Sequence, residues 1–95
     1  MHVISKKKLR DFWVRHATCR SALQSWFTIM HRSTYETLNH RKATFPSADR
    51  VGKHVVFDVG GNKCRVITVI HFNRGKVYVR DVLTHQEYDQ EAWKR

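Results

Sequence analysis

The hydrophobic positions of this chain change period near its middle. Before residue 45 they recur every three to four positions, and after residue 54 they alternate. Residues 2–4 (His-Val-Ile) form a short β-inclined opening. Ser5 stands where a helix N-cap is expected. Leu9, Phe12, Trp13 and His16 follow at i, i+3, i+4 and i+7, one face of a helix, with Lys6, Lys7, Lys8, Arg10 and Asp11 largely on its wet side. A second helix is predicted from Thr18, with the stripe Cys19, Ala22, Leu23, Trp26, Phe27 and Met30. Aromatics at that spacing read as core rather than as a cofactor box. A third, shorter helix is predicted over Thr34 to Ala43, with Tyr35 and Leu38 facing in. Phe45 to Asp49 holds the only proline and reads as a loop.

The second half reads as strands. Val55, Phe57 and Val59 alternate, Gly60-Gly61-Asn62 reads as a turn, and Cys64 to Phe72 is rich in β-formers. Asn73 to Lys76 is a second turn and Val77 to Leu83 a third strand. Thr84 can cap a last helical stretch through Ala92. Helices followed by an antiparallel meander make the fold class α+β. Placing Gly61-Asn62 at the first hairpin tip pairs Asp58 with Arg65 and Val59 with Cys64. A two-residue Arg74-Gly75 loop would pair Val69 with Arg80 and Ile67 with Val82. One face then carries Phe57, Val59, Cys64, Val66, Thr68, Ile70, Phe72, Val77, Val79 and Leu83, which should pack on the helices. The other carries His54, Val56, Asp58, Arg65, Ile67, Val69, His71, Tyr78, Arg80, Val82 and Thr84. Antiparallel sheets often have one dry and one wet face. Here the wet face sets arginines among Ile and Val, with His85 and Tyr88 near one edge.

Composition says what such a face could meet. The chain has 95 residues, which suits one domain spanning 1–95, and carries a formal charge of +10. The cations are spread along the sequence rather than gathered in a tail. A compact body so charged repels itself, and a polyanion relieves the repulsion, so nucleic acid is the leading partner class. The plainer reading is a basic protein neutralised by an acidic one. Two cysteines, Cys19 and Cys64, are too few for a disulfide scaffold and read as packing residues. The N-terminus has no apolar signal region, and no apolar run approaches the ~20 residues of a membrane span. A reducing cytoplasm fits these features. The seven histidines show no tight ligand pair and the cysteines are far apart, so no metal and no cofactor are expected.

Arginine, histidine, tyrosine and lysine around an apolar floor form a sensible RNA-cleaving set. Cleavage through the 2′-hydroxyl needs a base for its proton, an acid for the 5′-oxygen and positive charge on the phosphorane-like transition state. Arginine forks suit phosphate oxygens, histidine titrates in the useful range, and tyrosine can donate a proton or stack on a base. Each residue also has a simpler reading. Asp58 and Arg65 could be a plain cross-strand ion pair, His71 and Tyr78 edge packing, and His85 a helix-start residue.

Two stretches are more specific. Lys53-His54-Val55-Val56-Phe57-Asp58-Val59-Gly60-Gly61-Asn62-Lys63-Cys64-Arg65-Val66 resembles the HigB toxin family, and so does Tyr78-Val79-Arg80-Asp81-Val82-Leu83-Thr84-His85-Gln86-Glu87-Tyr88-Asp89. The opening Met1 to Ser5 and the loop Ala43 to Ser47 fit the same layout, so the resemblance runs nearly end to end, though the chain after Tyr88 is short beside longer family tails. It implies a RelE-like toxin of a type II toxin–antitoxin system, with a small antiparallel sheet, N-terminal helices on one face and a short C-terminal helix. It further implies an mRNA interferase acting at the ribosomal A site, and a HigA-like helix-turn-helix antitoxin that neutralises it and touches DNA in its stead. By the same resemblance Arg65, Arg80, His85 and Tyr88 are the expected catalytic residues, while Lys53, His54, Asn62 and Lys63 are the expected RNA contacts. Two rivals use the same charge: a non-catalytic RNA- or ribosome-binding module, and a DNA-binding repressor, for which the helices offer no recognition pattern.

Overall fold

The computed structural model describes residues 1–32, 49–61 and 63–90. In chain order the elements are β1 (His2–Ile4), α1 (Lys6–Arg15), a 3-10 turn (Ala17–Cys19), α2 (Arg20–Arg32), β2 (Asp49–Val51), β3 (His54–Val59), β4 (Cys64–His71), a second 3-10 turn (Phe72–Arg74), β5 (Lys76–Thr84) and α3 (His85–Asp89). The third helix expected over Thr34 to Ala43 lies outside the described residues, as do most of the Phe45–Asp49 loop and Ala92.

The five strands form one sheet in the order β1-β5-β4-β3-β2. The sheet is mixed, which corrects the all-antiparallel expectation: β1 runs parallel to β5, with Val3 opposite Val77. Strands β5, β4, β3 and β2 alternate in direction, so β2 at the far edge runs opposite to β1. Asp49, expected in a loop, opens the short edge strand β2 against β3. Both helices cover one side of the sheet. Leu9 and Phe12 of α1 and Leu23, Trp26 and Met30 of α2 are buried with Val55, Phe57, Val59, Cys64, Val66, Val77 and Val79. Trp26 meets Phe57 edge-on with ring centroids 5.4 Å apart, a favoured aromatic geometry. Thr68 is buried on this side because its hydroxyl donates to the Val55 carbonyl at 2.8 Å.

Local chemistry differs from expectation at two helix starts. Ser5 precedes α1 but takes a left-handed φ of 74° and forms no side-chain cap. The second helix begins as the 3-10 turn at Ala17 before opening into α2 at Arg20. At the other end of α2, the Met1 ammonium donates to the Met30 and His31 carbonyls at 3.3 and 3.1 Å. A positive group is favourable where helix carbonyls have no intrahelical partner. Among the described residues, no helix is long and apolar enough to cross a membrane.

The two hairpins fare differently. Asp58 lies opposite Arg65 and Val59 opposite Cys64, as expected. The second hairpin does not close on a two-residue loop. His71 pairs with Lys76, and the 3-10 turn plus Gly75, at φ 62°, lie between them. Val69 therefore faces Tyr78, not Arg80. The register then shifts by one residue at Ile67/Thr68: Thr68 faces Val79 but Ile67 faces Asp81, so Arg80 is the extra, bulged residue. A bulge inverts the alternation beyond it. Val82, expected on the wet face, packs against the helix-side core, and Leu83, expected inside, pairs with Arg65. Thr84 likewise moves to the side of its partner Cys64. On the outer face, Val56 and Ile67 pair and are 3% and 1% exposed, so they are a buried apolar couple and not a wet floor.

Both cysteines are free and buried. Burial pushes the Cys64 thiol up to about 12, and Cys19 beside it adds to the shift. The folded state thus holds the thiol proton where an exposed thiol, near 9, would release it. Native protein should resist iodoacetamide at pH 8 and react after urea unfolding. Because the folded value is the higher one, the contribution of Cys64 to stability should be level below pH 9 and decline as pH rises from 9 toward 12; a Cys64→Ala variant should lose that part of the decline, as chemical denaturation across this range would show.

Candidate functional site

The site grows from the hinge between β5 and α3. Thr84 ends the strand in an extended conformation and caps the helix. Its hydroxyl accepts from the Glu87 amide at 3.1 Å, and Glu87 Oε1 accepts from the Thr84 amide at 2.9 Å. This reciprocal box satisfies two helix-start donors and fixes the angle at which the chain turns. Thr84 pairs with Cys64 and Leu83 with Arg65, so the first turn of α3 starts beside Arg65.

Arg65 is the centre. Its Nη1 donates to Asp58 Oδ1 at 2.8 Å, and the two side chains are only 12% and 17% exposed. Its Nη2 lies 3.2 Å from His85 Nδ1. The guanidinium carbon stands 5.3 Å from the Tyr88 ring centroid, within cation–π range. His85 and Tyr88, one helical turn apart, so reach the same cation. His85 Nε2 in turn lies 3.3 Å from Asp89 Oδ2. The result is a chain of contacts, Asp58–Arg65–His85–Asp89, with the Tyr88 ring against it. His85 and Asp89 are about half exposed and open to a bound molecule.

Three of the four expected catalytic residues therefore meet. Arg80 does not: it is the exposed bulge of β5, and its carbonyl accepts from Lys8 Nζ at 2.7 Å. In step with the strand up to Val79, Arg80 would face Ile67; the bulge leaves it unpaired beside the Ile67–Asp81 pair, two positions along β4 from Arg65. Of the expected RNA contacts, Lys63 is exposed in the hairpin turn next to Arg65, while Lys53 and His54 sit at the opposite end of β3. At about 3.3 Å per residue, His54 is roughly 13 Å along the strand from Asp58. Asn62 lies outside the described residues. Two carboxylates escaped the sequence reading as site members. Asp89 was legible as the i+4 neighbour of His85, a spacing that brings side chains together on a helix. Asp58 was read only as an ion-pair partner. Elsewhere on the outer face, His71 meets Tyr78 edge-on at 5.0 Å, as packing. Among the described residues, no three His, Cys, Asp or Glu side chains converge as a metal-ligand set.

A cationic fork, an imidazole and a phenol gathered on one face of a small basic α+β body are what the resemblance to RelE-like toxins led us to expect. Residues 19–91 match the family model HigB_toxin, described as the RelE-like toxic component of a toxin–antitoxin system. The chain is 36% identical over 92 residues to the mRNA interferase toxin HigB of Escherichia coli K12, covering 94% of this chain and 88% of that protein. It is equally similar to the mRNA interferase HigB of Shigella flexneri. To the mRNA interferase HigB of Escherichia coli O6:H1 it is 31% identical over 93 residues, covering 95% and 90%. This chain belongs to the HigB toxin family.

The half-buried Asp58–Arg65 pair should matter for stability as well as geometry. Asp58→Ala leaves a guanidinium with little water to replace its partner, and should cost about 2 kcal/mol. Urea denaturation would read this as a lower midpoint at unchanged slope. A midpoint equal to that of the unaltered protein would make the pair energetically idle.

Proposed function

We propose that this chain is an mRNA interferase: a metal-independent endoribonuclease that inhibits translation by cutting messages through attack of a 2′-hydroxyl on the adjacent phosphate. The observation that carries the reading is the meeting of Arg65, His85 and Tyr88 on one face. The net charge of +10 and the names of the curated relatives support it. The arginine fork matches two phosphate oxygens and would stabilise the charge that gathers on them in the transition state. His85 is the proton-transfer group. The Tyr88 ring would orient the guanidinium or stack on a base. Arg80, Lys53, His54, Asn62 and Lys63 would hold neighbouring parts of the RNA backbone. Few acid–base groups stand at the site, which suits cutting at the ribosomal A site, where the ribosome can align the message. A HigA-like antitoxin would neutralise the toxin, and the cytoplasm is where such a target is met.

Primer extension on a reporter message, with EDTA present, tests the reaction. Discrete cleavage that persists without divalent metal is the expected outcome. Protection or stalling without cuts would favour a non-catalytic RNA- or ribosome-binding module instead. His85→Ala should lower the cleavage rate by about 100-fold or more with the fold intact. Growth inhibition on expression should be relieved in both His85→Ala and Arg80→Ala. A folded, fully toxic Arg80→Ala protein would remove that arginine from the working surface.

A further inference from the structure

His85 stands between two neighbours of opposite chemistry. Arg65 Nη2 lies 3.2 Å from Nδ1, and Asp89 Oδ2 lies 3.3 Å from Nε2. A guanidinium can only donate, so Nδ1 must present its lone pair. The ring proton then sits on Nε2, where Asp89 accepts it. Both neighbours select the same neutral tautomer. A doubly protonated ring would turn an N–H toward Arg65 and set two cations side by side.

We propose that Asp89 is a positioning residue that fixes His85 as the Nε2–H tautomer, so that Nδ1 is the base, and that Arg65 caps Nδ1 until an RNA phosphate draws the guanidinium away. The proposal deepens the endoribonuclease reading and rests on it. Arg65 need not leave its place to uncap the ring. Its Nη1 remains on the half-buried Asp58, which acts as the pivot, and only Nη2 has to turn toward phosphate. A phosphate oxygen is charged and the imidazole nitrogen is neutral, so the phosphate makes the stronger hydrogen bond to the same donor. The base is thus exposed when the substrate is in position.

The proton and bond accounting is complete with water as the only co-reactant. The 2′-hydroxyl proton passes to Nδ1 as the 2′-oxygen bonds to phosphorus. The bond from phosphorus to the 5′-oxygen breaks, and that oxygen takes a proton from water. The products are a 2′,3′-cyclic phosphate and a 5′-hydroxyl. His85 holds a proton on each nitrogen at that moment, and Asp89 beside Nε2 stabilises the cation, the second service of a carboxylate behind a catalytic histidine. Returning the Nδ1 proton to solvent restores the starting state.

The test is long-range proton–nitrogen correlation spectroscopy of the full-length ¹⁵N-labelled protein at neutral pH. His85 is identified as the ring signal missing from His85→Gln. The expected pattern is a neutral ring protonated at Nε2. Asp89 is exposed and last in α3, so its replacement leaves the Thr84–Glu87 cap in place. Asp89→Ala should weaken the Nε2–H preference and lower kcat about tenfold or more, with KM little changed. Asp89→Asn keeps an acceptor oxygen and should retain the tautomer and more of the rate. An Nδ1–H tautomer or an imidazolium in the resting protein would overturn the proposal, as would an Asp89→Ala variant with unaltered ring signals and kcat. Failure of the unaltered protein to cleave RNA at all would remove the endoribonuclease reading itself, whatever the tautomer.

Discussion

The one-residue bulge at Arg80 decides what the last strand presents to each side of the sheet. Up to Val79 the strand keeps step with β4, and Val77 and Val79 enter the core. Past the bulge the parity is reversed. Val82 turns inward, Leu83 comes to lie opposite Arg65, and Thr84 falls on the core side next to Cys64. The start of α3 is set by that parity, because Thr84 is both the last strand residue and the helix cap. Without the extra residue, Thr84 would lie on the outer face and the helix would leave the strand in a different direction. Bulges re-aim side chains in this way near functional sites. Here one sets the parity from which His85 and Tyr88 reach Arg65.

Much of the architecture was legible from periodicity. The helix stripes of Leu9–Phe12 and Leu23–Trp26–Met30 and the alternation of Phe57, Val59, Val66, Val77 and Val79 all reached the core. The first hairpin was legible because two glycines between strands demand positive φ, and Gly60 and Gly61 take φ 70° and 58°. The second hairpin was not. Its single Gly75 fits loops of several lengths, and a bulge is a relation between two strands that one strand's pattern does not record. The parallel placement of β1 was equally hidden, since three residues, two of them β-branched, state no direction and no partner.

The site was legible to the same extent as its elements. Asp58 opposite Arg65 followed from the first turn, and the i, i+3 spacing joined His85 to Tyr88. Their meeting with Arg65 depended on the cap and on the hinge angle, which residue spacing does not fix. Arg80 illustrates the converse. Its residue type and its place in a family motif both pointed to the cluster, yet it is the bulged residue beside the Ile67–Asp81 pair, and alternation in one strand does not record a bulge. The buried couple Val56–Ile67 shows why alternation misled on the outer face: apolar side chains leave water wherever cover exists, on either side of a sheet.

Attraction and chemistry are drawn from different parts of the molecule. Among the described residues, the contact chain around His85 holds Asp58 and Asp89 against the cation Arg65, with Glu87 committed to the helix cap beside it. The chain of contacts is by itself net acidic and does not account for the pull of a protein with net charge +10 on a polyanion. The pull must come from charges elsewhere, among them the exposed Lys7, Lys8, Arg10 and Arg15 of α1 and Arg80 on the bulge beside Lys8. Long-range fields act over roughly a Debye length, about 8 Å at physiological salt, and tolerate imprecise placement. Proton transfer tolerates none, because a base must lie within hydrogen-bond reach of its proton. The carboxylates next to Arg65 and His85 serve that second need. They weaken local attraction for phosphate and in exchange hold one guanidinium and one imidazole in fixed orientation. A basic body elsewhere makes that exchange tolerable.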